Sequence, residues 1–65
     1  MCLSSVYQGE VSDNRIILKE VSLLKVKDDE VIIENIFGQS ESLKGYYIKE
    51  VNLVKNYVVL DKRGE

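Results

Sequence analysis

The chain has 65 residues, enough for one domain at most, with 45% apolar and 31% charged residues, one cysteine, no histidine and a net charge of -2. A domain this short buries only about 60% of the surface its unfolded form exposes, so its core alone gives marginal stability. The cysteine count excludes an intrachain disulfide and a Cys/His zinc cage, and the acidic balance disfavours nucleic acid, whose binders draw their affinity from clustered Lys and Arg.

Oligomerisation is the support left open to so small a core, and a homodimer is expected. The apolar runs at 16–18, 31–33 and 57–60 are far too short to span a bilayer. No basic region followed by a long apolar stretch opens the chain, and a lone cysteine suits a reducing compartment. The sequence reads as cytoplasmic, without a membrane anchor.

In chain order, the first strand is expected at Met1 to Tyr7, followed by a polar stretch from Gln8 to Asn14. A second runs from Arg15 to Val21, with Ile16 and Leu18 on one face. A third, Leu23 to Lys27, meets the Asp28-Asp29 turn and pairs with Glu30 to Ile36, which places Leu24 and Val26 toward the core. Phe37-Gly38 ends that strand, and Gln39 to Lys44 reads as a polar excursion. Gly45 can take the positive φ that re-aims the chain into Tyr46 to Val54. Alternation in that segment breaks unless a bulge lies near Lys49. Lys55-Asn56 forms a two-residue turn, Tyr57 to Asp61 pairs back, and 62–65 is a frayed tail.

A helix through Tyr47, Val51 and Val54 has the right spacing, but the segment is poor in strong helix formers and a turn joins it to an evident strand. The expected fold is therefore all-β: a single domain over 1–65, a small curved barrel or sandwich of about six short antiparallel strands, SH3-like in size.

Without histidine no side chain has an unperturbed pKa near neutrality, and no nucleophile and base pair up. The four glycines are scattered among turns and form no phosphate-cradling motif. An enzyme is not expected. Asp28-Asp29-Glu30 lacks the oxygen-ligand spacing of a calcium loop and reads as a solvated turn. Tyr46 and Tyr47 could stack on bases, but in a strand one packs inward and the other covers the surface.

Cys2 stands apart, since its thiol lies one peptide bond from the amine of Met1. Amine, amide nitrogen and thiolate together close five-membered chelate rings. Flat nitrogen coordination favours Ni(II) or Cu(II), and thiolates also attract Cu(I) and zinc. Two copies of Cys2 meeting on a dimer axis would supply two sulfurs. Against this stands the plain reading of Cys2 as a small buried apolar residue at the start of a strand.

The sequence runs Met1-Cys2-Leu3-Ser4, then Leu18-Lys19-Glu20-Val21, Ile36-Phe37-Gly38 and Gly45, and closes with Val51-Asn52-Leu53-Val54-Lys55-Asn56-Tyr57-Val58-Val59-Leu60. Over nearly its full length it resembles the CooT-like family of small nickel-binding proteins, which have also been labelled predicted RNA-binding proteins. Asn52 departs from the resemblance, standing where an acidic residue is expected. The resemblance implies a β-rich homodimer that binds Ni(II) through Cys2, with Met1 beside it, in the service of nickel insertion into carbon monoxide dehydrogenase. The alternative is a small β interaction module for protein or RNA, with Cys2 structural.

Overall fold

Short segments rich in Val, Ile, Leu and Tyr, broken by Asp, Asn and Gly, fold as strands because β-branched and aromatic side chains suit a pleated, half-buried surface. The computed structural model describes residues 3–64. Its strands are β1 (Ser4–Gln8), β2 (Ile16–Lys27), β3 (Glu30–Asn35), β4 (Ser40–Lys44), β5 (Tyr46–Asn52) and β6 (Tyr57–Lys62), with one short 3-10 turn at Asp13–Arg15. They form one six-stranded sheet in the order β4-β3-β2-β1-β6-β5. The all-β class is as the sequence indicates, and no helix replaces β5.

Several details differ. The segments expected as separate second and third strands are one bent strand, β2, whose first half pairs with β1 and whose second half pairs with β3. Register shifts near Val21 on both sides mark the bend. The polar excursion at 40–44 is the edge strand β4, paired along its length with β3. Polar and charged residues there keep an exposed edge from recruiting other strands. The sheet is mixed, because β6 runs parallel to β1 from Ser5↔Tyr57 to Gln8↔Leu60. Its direction is set where the Ser5 N–H donates to the Asn56 carbonyl (3.2 Å), which brings β6 in at the start of β1.

β4 and β5 lie at opposite ends of the strand order yet are separated by Gly45 alone. The sheet must therefore curl until its two edges approach. Gly45 turns the corner at φ 80, donates to the Asp29 carbonyl (2.7 Å) and accepts from the Arg63 N–H (2.7 Å). A side chain is rarely tolerated at that φ. β4 and β5 do not pair, so the result is a curled sheet that stops short of a closed barrel.

The inner face gathers Val6, Val21, Val31, Ile33, Val58 and Leu60, with Leu18, Leu24, Leu43 and Tyr46 packed against them. β3 alternates strictly, with Val31, Ile33 and Asn35 buried. Val26 corrects one expectation. It pairs with buried Val31 and so shares the inner face, but it is 56% exposed. The reason is length: β1 accompanies β2 only as far as Val21, and nothing from it covers the far end of the hairpin. The bulge expected near Lys49 is present between Ile48 and Glu50. It lets Lys49 donate to the Gly9 carbonyl (3.1 Å) beside Asp61. The chain stays in the sheet through Lys62, and Arg63 sits over the Tyr47 ring, 5.9 Å from its centroid.

Among the described residues three non-glycine residues have positive φ: Glu20, Asp28 and Asn56. Asp and Asn tolerate this region; a glutamate gains nothing there. Glu20 (φ 57) is exposed and forms the bend of β2. Glu20→Gly is expected to raise stability by about 0.5 to 1 kcal/mol, the relief of left-handed strain less the added freedom of the unfolded chain. A urea melt reads this directly, and a lower midpoint would show that the bend is not strained.

Candidate functional site

The site is built around the start of β1, because the residue singled out for chemistry precedes it. Met1 and Cys2 lie outside the described residues. Covalent reach alone holds the Cys2 Cα within about 7 Å of the Ser4 Cα. Beside Ser4 the bend of β2 leaves an open hollow of about 160 Å³, lined by Ser4, Val21, Ser22, Leu23, Leu24 and Val58. It exists because β2 leaves β1 at Val21 to continue beside β3, so the two strands diverge there.

Two turns flank this point, and both are braced in the same way. Asn35 ends β3 and is buried, and its Oδ1 accepts from the N–H groups of Phe37 (3.0 Å) and Gln39 (2.9 Å). Its Nδ2 donates to Gln39 Oε1 (2.8 Å). Asn52 ends β5, and its Oδ1 accepts from the N–H groups of Val54 (3.1 Å) and Lys55 (2.8 Å). Each asparagine thus satisfies main-chain donors that the turn takes out of the ladder. An aspartate at 52 would accept the same two bonds, which accounts for the departure seen in the sequence.

The tips of these turns are apolar. Ile36 and Phe37 are 50% and 71% exposed, and Leu53 and Val54 are 83% and 90% exposed. The first turn is tied to the β2 bend by the Ile36 N–H donating to the Glu20 carbonyl (3.1 Å), and Val21 pairs with Ser4. The second is tied to β1 through Asn56 and Ser5. Here the sequence reading needs correction: Leu53 and Val54 belong to a four-residue turn rather than to β5, and Asn52↔Tyr57 closes it. The signal was present as an asparagine followed by two large apolar residues, once as Asn35-Ile36-Phe37 and once as Asn52-Leu53-Val54.

Other candidates resolve into structure. Asp28-Asp29 forms the β2–β3 turn. Tyr46 packs against the core, and Tyr47 lies on the surface under Arg63. Tyr7 and Tyr57 meet edge to face at 6.1 Å, and the Tyr57 hydroxyl donates to Glu50 (2.9 Å). Among the described residues no three His, Cys, Asp or Glu side chains converge. No described helix is long and apolar enough to cross a membrane.

A family model described as CooT, the CO dehydrogenase accessory protein, matches residues 1–61, a span that includes Cys2 and both braced turns. The chain belongs to the CooT family. It is accordingly an accessory protein of CO dehydrogenase and not itself an enzyme. No curated protein matches it. The fold of this CooT-family chain is similar to the crystal structure of a candidate CooT from Carboxydothermus hydrogenoformans, with a TM-score of 0.79 and 25% sequence identity over 97% of this chain and 100% of that one.

Proposed function

We propose that this chain holds Ni(II) and supplies it to CO dehydrogenase, with the Cys2 thiolate as the principal ligand and main-chain nitrogen at Met1 and Cys2 beside it. Family membership over a span that begins at residue 1 is the observation that carries the reading. The donor chemistry fits: thiolate and main-chain nitrogens on adjacent residues close small chelate rings, and flat nitrogen and sulfur sets suit Ni(II). The nickel is cargo. It must be bound and then released, which an open chelate of two adjacent residues permits better than a closed cage. The protein works as a cytoplasmic homodimer, the second copy supplying the support that so small a core lacks.

A thiol must lose its proton to bind metal, so affinity falls as the pH drops. Equilibrium dialysis against Ni(II) tests the reading. Cys2→Ser is expected to abolish tight binding and leave the melting temperature within a few degrees of the parent, because serine is close to cysteine in size and shape. If Cys2→Ser kept its nickel, or lost several kcal/mol of stability, the cysteine would be a packing residue and the chain an interaction module.

A further inference from the structure

Where two consecutive strands pair, their own ladder holds the turn between them; where they do not pair, the connection alone decides where the second strand goes. Gly45 is such a connection. It is the single residue between β4 and β5, which lie at opposite ends of the strand order and do not pair. We infer that Gly45 selects between two states of this chain. In one the β5–β6 hairpin folds onto its own β1. In the other two copies exchange hairpins, and each β6 lies beside the β1 of the other copy. Neither state depends on bound nickel.

The first support is the way the hairpin is attached. β6 joins the rest of the sheet through its parallel ladder with β1, from Ser5↔Tyr57 to Gln8↔Leu60. The N–H groups of Ser5 and Gly9 donate to the carbonyls of Asn56 (3.2 Å) and Leu60 (2.8 Å), and Tyr46, Val58 and Leu60 pack into the core. Every one of these contacts links a residue before Gly45 to a residue after it. An identical second copy offers all of them unchanged, so exchange sacrifices none of this packing.

The second is the lack of slack. Fully extended, the stretch from Lys44 to Tyr46 spans about 7 Å. The hairpin therefore stays on its own sheet only while Gly45 holds the corner at φ 80. With Gly45 extended, β4 runs straight on into β5 and carries the hairpin away from its own β1. Short hinges of this kind invite exchange between copies.

The third is that the corner is held locally. Gly45 donates to the Asp29 carbonyl and accepts from the Arg63 N–H, both at 2.7 Å. A Cβ built on Gly45 meets nothing within 4 Å. A side chain there has room, and only the backbone angle opposes it, most strongly for a β-branched residue, which prefers the extended region. The balance thus turns on one φ angle against the cost of bringing two copies together, which falls as concentration rises.

The experiment places one cysteine on each side of the β1–β6 ladder. Ser5→Cys and Tyr57→Cys, in a Cys2→Ser background, sit at paired positions of adjacent strands, within reach of a disulfide. After oxidation of the folded chain, a non-reducing gel shows a single chain where the hairpin is at home and a covalent pair where it is exchanged. Two closed copies that merely associate keep the link inside each chain, so the readout separates exchange from the plain homodimer proposed above. The parent is expected to link within the chain. Adding Gly45→Val is expected to raise the interchain fraction by about tenfold or more. The parent held at its melting midpoint at high concentration, then cooled and oxidised, is expected to give interchain product that disappears when the same treatment is done dilute. A folded Gly45→Val variant linked only within the chain overturns the inference, and so does a parent that is mostly interchain as purified. If Gly45→Val does not fold, the melted and cooled parent decides: interchain product that rises with concentration supports exchange, and none at any concentration overturns it.

Discussion

Ile33→Ala is expected to lower the stability of this chain by about 3 to 4 kcal/mol, within the range for large-to-small changes at fully buried sites. Ile33 is completely buried at the centre of β3, facing Leu24 on β2. Its removal takes away the transfer energy of the lost methyl and methylene groups and leaves a cavity inside the curl of the sheet. Native domains carry about 0.05 to 0.15 kcal/mol per residue, which gives this one roughly 3 to 10 in all. The variant therefore loses from about a third to all of that stability. In a domain of this size each kcal/mol moves the melting temperature by about 4 to 8 °C, so a drop of at least 12 °C is expected by circular dichroism. Val54→Ala, at a 90% exposed position, serves as the control and is expected to change stability by no more than about 0.5 kcal/mol. A loss below about 1 kcal/mol for Ile33→Ala would mean that the curled sheet does not close on it.

Asn35→Ala is expected to cost about 2 kcal/mol and Asn52→Ala about 0.5 to 1, although each removes an oxygen that accepts two main-chain N–H bonds. The difference is burial. Asn35 is 5% exposed and also donates to Gln39, so its loss strands donors where water enters with difficulty. The bonds made by Asn52 lie at an exposed turn, where water replaces the lost oxygen. Urea melts of the two variants side by side measure the gap. Equal losses would show that the β3–β4 turn is as wet as the β5–β6 turn, and that its tip is less firmly held than the hydrogen bonds imply.

Strand chemistry was legible in the sequence wherever side-chain alternation met a strong turn signal. The strand read at Glu30 to Ile36 folds as β3 over Glu30–Asn35, with Ile36 passing into the turn, and the hairpin at Asp28-Asp29 folds as read. The bulge near Lys49 followed from a break in alternation that a straight strand could not accommodate. Less legible was β2, because a strand that bends and changes partners shows an interrupted pattern, which on paper resembles two strands with a turn between. β4 was hidden for the opposite reason. Its sequence, Ser40-Glu41-Ser42-Leu43-Lys44, offers one apolar side chain, since an edge strand is held by its ladder and guarded by its polarity. The parallel pairing of β1 with β6 joins the two ends of the chain, and no local pattern encodes such a contact.

The candidate site divides similarly. Cys2 stands out as the one thiol in a chain without histidine, but its chemistry leaves packing open as a reading, and it is the family resemblance that selects a metal role. The braced turns were not visible, because Leu53 and Val54 read as a continuation of β5 until the side chain of Asn52 is seen folding back on the two N–H groups that follow. The hollow at Ser4 depends on where β2 leaves β1, which is a property of the tertiary bend.

Ni(II) titrated into reduced, tag-free protein, followed by thiolate-to-nickel absorption with size exclusion in parallel, tests the nickel reading most directly. The account predicts a band that grows to saturation at one ion per chain or per pair of chains and is absent from Cys2→Ser. A folded wild type that develops no such band would contradict it, leaving a CooT-family accessory protein whose Cys2 serves packing alone.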